Sequence, residues 1–204
     1  MYLFDQRLLG GLIVVLLALL VGVKYGATGS VLDRPGGTAL VQAVNVFNLF
    51  FLLVVNPAAA ILLIARRAAA MDPTHLTIGP PWLLTTLEVL GLAVYVLGFL
   101  LMAWALLVLG RYYQLGGSAP REGDALVAAG PYRLIRHPMY AAATAIAFGL
   151  ATLLQSGAVA CVFGIYVVLI LMLIPLEERG LQGAYGPRWD DYRGRTKRLV
   201  PFVY

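Results

Sequence analysis

Long apolar runs separated by short polar segments dominate this sequence and leave few folds open to it. The runs cover residues 8–23, 39–65, 82–109 and 138–176. About 20 consecutive apolar residues are enough to cross the hydrocarbon core of a bilayer, so each run can contain a transmembrane helix. Hydrophobic residues make up 61% of the chain and charged residues only 12%, unlike a typical water-soluble domain. The sequence therefore predicts an all-α integral membrane protein.

The last apolar run is too long for a single crossing of the membrane. Its only polar interruption is formed by Gln155, Ser156 and Gly157, so we predict two helices joined as a tight hairpin. The total is then five transmembrane helices in a single membrane domain that covers residues 1–204. The first three spans lie within residues 1–109.

The basic residues predict the orientation of the spans, because cytoplasmic loops of membrane proteins carry an excess of Lys and Arg. When the C-terminus is placed in the cytoplasm, only Arg7, Arg66 and Arg67 of the 15 basic residues fall on the outer side. We therefore expect the N-terminus outside and the C-terminus inside. In a prokaryote the protein would lie in the inner membrane of the cell.

The same sequence disfavours several kinds of site. Cys161 is the only cysteine, so neither a disulfide nor a cysteine-based metal site can form within one chain. No group of His, Asp and Glu residues has the spacing of metal ligands, and we expect no metal. Basic and aromatic residues are not interleaved as they are in proteins that bind single-stranded nucleic acid. We expect no nucleic-acid partner.

Polar residues collect directly before the fourth predicted helix and directly after the fifth. Pro138 lacks an amide hydrogen, which suits the first position of a helix, and His137 before it is pushed toward extended backbone. The fifth helix is predicted to end near Pro175, after a run of nearly the same length as the fourth. Glu177 and Glu178 should therefore return to the membrane face on which His137 lies.

This expected proximity has a chemical meaning. The fourth helix begins with unsatisfied amide groups and the positive end of its dipole, reinforced by Arg136 and His137, and this combination favours an anion. Glu177 and Glu178 lie opposite and favour a cation. A ligand that has both a carboxylate and an ammonium group, such as an amino-acid head group, would satisfy both ends.

The C-terminal tail carries a regular apolar face. Leu181, Tyr185, Trp189 and Tyr192 follow one another at helical spacing. Because Trp and Tyr are favoured at membrane interfaces, we predict an amphipathic segment that lies along the cytoplasmic membrane surface. We expect it to cap the site and to exclude water.

Two polar blocks carry a resemblance to a known family. The first is "DALVAAGPYRLIRHPMY", residues 124–140, and the second is "EERGLQGAYGPRWDDYRGRTKRLVP", residues 177–201. Their order, their spacing and the apolar hairpin between them resemble the isoprenylcysteine carboxyl methyltransferase family and its phospholipid methyltransferase relatives. The resemblance implies a membrane-embedded methyltransferase that uses S-adenosyl-L-methionine, with residues 110–204 as the cofactor-binding catalytic region. It also implies a lipid or prenyl-type acceptor that enters from the bilayer.

The resemblance further implies which residues hold the cofactor. They are Leu126, Val127, Tyr132, His137, Pro138, Tyr140, Glu177 and Glu178. The methionine part of the cofactor has the carboxylate and the ammonium group that the two-ended site requires. We expect Arg136 to position an oxyanion or phosphate of the acceptor. Family members that act on prenylated protein carboxylates often carry a basic residue one turn before the acidic pair, where this chain has the apolar "LMLIP".

Two other functions are compatible with the sequence. Membrane sterol reductases, which use NADPH, carry a similar "RHPxY" block and an aromatic C-terminus like "PFVY". A non-catalytic lipid-binding membrane protein would bind neither cofactor. Polar residues within the spans also have two interpretations each. Asn45, Asn48 and Asn56 form interhelical hydrogen bonds or contact an acceptor, and Glu88 snorkels to the outer surface or serves a function.

Overall fold

The computed structural model describes residues 3–32, 38–76, 79–113 and 123–201. Arg34, Arg121 and the last three residues of "PFVY" lie outside these ranges. The α-helices are α1 (Gln6–Thr28), α2 (Ala39–Phe50), α3 (Asn56–Ile64), α4 (Ala68–Met71), α5 (Pro81–Leu109), α6 (Pro138–Leu154), α7 (Gly157–Tyr185) and α8 (Pro187–Arg195). Within the described residues the only β-type pairings are two isolated bridges.

The prediction of an all-α integral membrane protein is confirmed. Four helical stretches are long and apolar enough to cross a membrane, namely 6–28, 39–64, 81–112 and 157–185. Helix α6 is apolar as well but has only 17 residues, near the lower limit for a membrane span. The exact count of five spans therefore stays a prediction.

The expectation that the fifth predicted helix ends near Pro175 is wrong. Helix α7 continues through Pro175 to Tyr185. A proline inside a helix removes one backbone hydrogen bond, and such a loss is tolerated in membrane helices because the surrounding groups compensate for it. The helix begins where the sequence predicts, with Ser156 as its N-cap accepting from the amide of Val159 at 3.2 Å. The extra length carries Glu177 and Glu178 on a regular helix rather than at a frayed end.

A π-helical turn, Phe51–Val55, separates α2 from α3 and lets the two halves of this span pack differently. The Asn56 side chain donates to the Phe51 carbonyl at 2.8 Å and accepts from the Tyr95 hydroxyl at 2.6 Å. Helix α3 packs against α1, whereas α2 packs against α7. The interhelical role predicted for Asn56 is thus observed, and the change of neighbours leaves room for a cavity beside α2.

Helices α5 and α6 approach each other most closely, and glycine makes this approach possible. A Cβ atom on Gly149 would lie 2.5 Å from the backbone nitrogen of Tyr95, and one on Gly91 would lie 2.6 Å from that of Leu153. Small residues that allow backbones to touch are a common basis of helix association in membranes. This contact fixes α6, and with it the chain that precedes Pro138.

The acidic side chain of the third predicted span does not snorkel. Glu88 is only 1% exposed, and its carboxylate accepts hydrogen bonds from the amides of Leu3 at 2.7 Å and Phe4 at 3.0 Å. These amides precede α1 and satisfy the carboxylate within the fold. Glu88 therefore ties α5 to the start of α1.

Candidate functional site

A cavity of about 320 Å³ lies where the polar segments meet the helices. Its polar end is formed by the chain around residues 124–127 and 132–140, together with the end of α7 and with α8. Its apolar end continues between α1 and α2, past the π-helical turn. The volume falls within the range of pockets that bind small molecules and cofactors.

Nearly all of the residues predicted to form the site line this cavity. They are Leu126, Val127, Tyr132, Arg136, His137, Pro138, Tyr140 and Glu177. Glu178 is the exception, because it lines a separate polar depression on the other side of α7. The acidic pair thus points in two directions, and only Glu177 faces the cavity.

Glu177 is held by two aromatic residues from the start of α6. The Tyr140 hydroxyl donates to its Oε2 atom at 2.7 Å, and His137 Nδ1 lies 4.0 Å from the same oxygen. The rings of His137 and Tyr140 are stacked, with centroids 5.6 Å apart. The Glu177 carboxylate is therefore fixed at the cavity wall through its Oε2 atom. Neither of these two contacts involves its Oε1 atom.

Glu178 is the centre of a buried ion cluster. Its Oε1 atom lies 2.9 Å from Arg136 Nε, and its Oε2 atom lies 2.9 Å from Arg198 Nη2. His137 Nε2 lies 3.4 Å from Oε1. Two guanidinium groups already neutralise this carboxylate. The sequence analysis expected Glu178 to bind the ammonium group of a ligand, and these contacts differ from that expectation.

The contacts of Arg136 differ from the expectation that it positions an acceptor. Besides Glu178, its guanidinium donates to the carbonyl oxygens of Arg193, at 3.2 Å, and Thr196. Its backbone amide donates to the Lys197 carbonyl at 2.7 Å. Arg136 therefore fastens the chain after α8 to the chain before α6.

The aromatic face of the tail points into the protein rather than toward a membrane surface. Trp189 is 1% exposed and lines the cavity, and Tyr192 donates to the carbonyl of Tyr132 at 2.8 Å. Burial raises the pKa of both the Tyr132 and the Tyr192 phenol, so both hydroxyls stay protonated. This burial agrees with the expectation that the tail caps the site, and its position along a membrane surface stays a prediction.

Sequence reasoning did not identify Trp189 as a site residue. Its indole Nε1 is buried and has no hydrogen-bond partner among the described groups. Buried polar groups are nearly always paired, so an unpaired donor at a cavity wall indicates a place for a ligand acceptor. The helical spacing of the tail places Trp189 on the aromatic face. The spacing does not determine whether this face packs on the protein or on a membrane surface.

Tyr166 is a second residue that the sequence analysis did not identify. It lines the deeper part of the cavity together with Asn45 and Asn48 of α2. Its ring stacks on Phe47, with centroids 5.3 Å apart. Tyr166 and Glu177 are eleven residues apart, close to three helical turns, so they share one face of α7.

Comparison with known proteins relates this chain to one family and to two curated proteins. The model of the phospholipid methyltransferase family matches residues 87–188, which is half of the chain. The cobalt-zinc-cadmium resistance protein CzcN of Cupriavidus metallidurans is 31% identical over 120 residues, covering 58% of this chain and 50% of that protein. Protein-S-isoprenylcysteine O-methyltransferase B of Arabidopsis thaliana is 30% identical over 115 residues, covering 55% and 58% respectively. The chain thus spans between half and three fifths of the length of these relatives.

The fold is similar to that of a solved membrane enzyme. The structure of a eukaryotic intramembrane Ras methyltransferase, isoprenylcysteine carboxyl methyltransferase, superposes with a TM-score of 0.54. The match covers 81% of this chain and 75% of that one, at 20% sequence identity. At this identity the similarity is one of fold.

Proposed function

The chain belongs to the phospholipid methyltransferase family, and from this premise we propose that it is a methyltransferase that uses S-adenosyl-L-methionine to methylate a hydrophobic, lipid-like acceptor. The observation that carries the proposal is the two-part cavity. One end offers a fixed carboxylate and a buried indole N–H, and the other end is apolar and lies between membrane helices. A polar cofactor and a lipid-like acceptor need these two environments side by side.

The residues at the polar end fit the cofactor. Glu177 would hold the ammonium group in the methionine part of the cofactor. Tyr140 and His137 would keep the Glu177 carboxylate in place. Backbone around Leu126 and Val127 would border the adenine, as the family resemblance implies. The cofactor would supply a methyl group on a sulfonium, which passes to a lone pair of the acceptor with release of S-adenosylhomocysteine and, where the methylated neutral atom carries a hydrogen, of a proton.

The catalytic contribution of the chain is then proximity, orientation and exclusion of water. Trp189 and the chain around Tyr132 cover the polar end of the cavity. Arg136 and Glu178 act as positioning residues, because they hold this cover onto the start of α6. We assign neither of them a contact with the reacting atoms.

The acceptor would reach the site sideways from the bilayer. Cavity-lining residues near the gap between α1 and α2 are apolar and exposed on the protein surface, among them Val21, Val31 and Leu53. We propose that the polar end faces the cytoplasm and the N-terminus the outside, in accord with the distribution of basic residues. Labelling of single cysteines introduced at Arg195 and at Arg67 of a Cys161→Ser protein, with an impermeant reagent in oriented vesicles, checks this orientation.

The alternative function as an NADPH-dependent reductase is not favoured. A dinucleotide with three phosphates requires several basic side chains. Among the described residues only Lys24 and Arg136 line the cavity with a positive charge. The Lys24 ammonium donates to the Ser30 carbonyl at 3.2 Å, and the Arg136 guanidinium is engaged with Glu178 and the tail.

The proposal is tested by titrating the detergent-purified protein with S-adenosylhomocysteine and, separately, with NADPH. We expect S-adenosylhomocysteine to bind at micromolar concentrations and NADPH not to bind in the same range. Binding of NADPH alone would favour the reductase. Binding of neither compound at sub-millimolar concentrations would leave a non-catalytic lipid-binding protein as the better interpretation.

A further inference from the structure

The deep part of the cavity contains a polar side chain that the proposed cofactor site does not use. Tyr166 is 2% exposed and lines the cavity, and its hydroxyl makes no hydrogen bond of normal geometry with any described group. Leaving a buried hydroxyl unpaired costs free energy. A hydroxyl that lies at the wall of a cavity can recover this cost by binding a ligand.

Two carboxamides lie on the neighbouring wall. Asn48 is close enough to Tyr166 to interact with its hydroxyl, and Asn45 lies one turn before Asn48 on α2. Both line the cavity. A carboxamide and a phenol can each donate and accept a hydrogen bond, so together they match an uncharged oxygen or nitrogen.

The depth of this subsite separates it from the polar end. Tyr166 and Glu177 are eleven positions apart on α7, so their backbones differ in depth by about 16 Å at 1.5 Å per residue. This rise is about equal to the hydrocarbon thickness of one bilayer leaflet, roughly 15 Å. The subsite would therefore contact the body of a lipid-like acceptor rather than the group that receives the methyl.

The charges around the cavity limit what this group can be. The two described basic residues that line the cavity, Lys24 and Arg136, belong to its polar end, where Lys24 lies over the ring of Tyr113 at 5.0 Å. A carboxylate or phosphate beside Tyr166 would be buried without a counter-ion, which is strongly unfavourable at this depth. The recognised group must be neutral.

We infer that Tyr166 and Asn48 form a specificity subsite for an uncharged hydroxyl or carbonyl group within the chain of the acceptor. This inference rests on the proposed methyl transfer to a lipid-like acceptor, and it narrows the acceptor from any apolar chain to an oxygen-bearing lipid. A plain hydrocarbon or prenyl chain would offer the Tyr166 hydroxyl no hydrogen bond of normal geometry.

The test compares lipids that differ only in such a group. The affinities of 1-octadecanol, octadecane-1,10-diol and octadecane-1,12-diol are measured in detergent micelles, with and without S-adenosylhomocysteine. We expect at least one diol to bind about three- to tenfold more tightly than the mono-alcohol, the gain of one or two neutral hydrogen bonds. The variant Tyr166→Phe should abolish this preference, and Asn48→Leu should reduce it. Tyr25→Phe, at a 60% exposed tyrosine of α1, serves as the matched control.

The possible outcomes separate this inference from the proposed function. Equal affinities for diols and mono-alcohol in the parent protein, or an undiminished preference in Tyr166→Phe, would overturn the subsite. Failure of all three alcohols to bind would overturn it as well. Binding of S-adenosylhomocysteine by Tyr166→Phe reports that the variant is folded. If the parent does not bind S-adenosylhomocysteine but still prefers a diol, the methyltransferase proposal fails and the subsite stands as a lipid-binding site.

Discussion

Arg136 Nε and Glu178 Oε1 lie 2.9 Å apart, and both side chains are only 7% exposed. These residues are separated by 42 positions in the chain, which include all of α6 and most of α7. Their contact joins the chain just before α6 to the last third of α7. Because Arg136 also holds the carbonyls of Arg193 and Thr196, one guanidinium closes the cover over the cavity.

Replacement of Arg136 by Gln should destabilise the protein and weaken cofactor binding together. A buried carboxylate that loses one of its charged partners typically costs about 3 kcal/mol or more. Arg198 remains beside Glu178 and limits the loss. Thermal unfolding in detergent and titration with S-adenosylhomocysteine measure the two effects. Arg188→Gln, at an exposed position of α8, should change the stability by less than about 0.5 kcal/mol.

Replacement of Glu177 by Gln should weaken cofactor binding without a comparable loss of stability. The change keeps the size of the side chain and its contact with Tyr140, but it removes the negative charge at the cavity wall. A hydrogen bond to a charged group contributes about 1.5–3 kcal/mol, so the affinity for S-adenosylhomocysteine should fall roughly tenfold or more. An unchanged affinity would show that the ammonium group binds elsewhere.

Replacement of Trp189 by Phe tests the unpaired indole N–H. Phe retains most of the apolar contact area and removes the donor at the cavity wall. We expect a three- to tenfold loss of affinity for S-adenosylhomocysteine, about the worth of one neutral hydrogen bond. Trp82→Phe provides the control, because Trp82 is 67% exposed near the start of α5. Equal affinities of Trp189→Phe and the parent would assign the indole to packing alone.

Gly149→Ala and Gly164→Ala should have opposite effects on stability. Replacing glycine by alanine inside a helix normally stabilises it by about 0.5–1 kcal/mol. A Cβ at Gly149 would meet the backbone of Tyr95 at 2.5 Å, whereas nothing lies within 4 Å of one at Gly164. We therefore expect a lower unfolding temperature for Gly149→Ala and an equal or higher one for Gly164→Ala. A stabilised Gly149→Ala protein would contradict the close packing of α5 on α6.

The hydrogen bond between Tyr95 and Asn56 should be measurable by a double-mutant cycle. The variants Tyr95→Phe, Asn56→Leu and the double variant are compared by unfolding in detergent. Interhelical hydrogen bonds in membrane proteins contribute on average about 0.6 kcal/mol and at most about 1.7. Asn56 also supports the π-helical turn through the Phe51 carbonyl, so Asn56→Leu should cost more than Tyr95→Phe. Strict additivity of the two single changes would rule out direct coupling.

The sequence predicted well what depends on hydropathy and on helix boundaries. Pro138 sets the start of α6, and the polar break at Gln155 and Ser156 sets the turn before α7. Helix lengths then place Arg136 near Glu178, as the contact shows. These features follow from local chemistry and from the constant rise of a helix.

Other features depend on tertiary contacts that no local pattern contains. Adjacent residues on a helix differ in direction by about 100°, so whether Glu177 or Glu178 faces the cavity is decided by the rotation of α7. Trp189 points into the protein because Arg136 holds the end of α8 and the residue after it against the start of α6. The burial of Glu88 follows from amides that precede α1 and lie more than eighty residues away in the chain. In each case the deciding neighbour is distant in sequence.

The π-helical turn Phe51–Val55 also carries a genetic consequence. Deletion of a single codon within it would allow the span to continue as an uninterrupted α-helix. A π-turn closes its hydrogen bonds over one residue more than an α-turn, so the deletion would leave the carboxamides of Asn45 and Asn48 at nearly the same angle to Asn56. The hydropathy and length of the span would hardly change. An inherited loss of one residue at this turn would therefore be tolerated, whereas the same loss within α2 would rotate the residues before it by about 100° relative to α3.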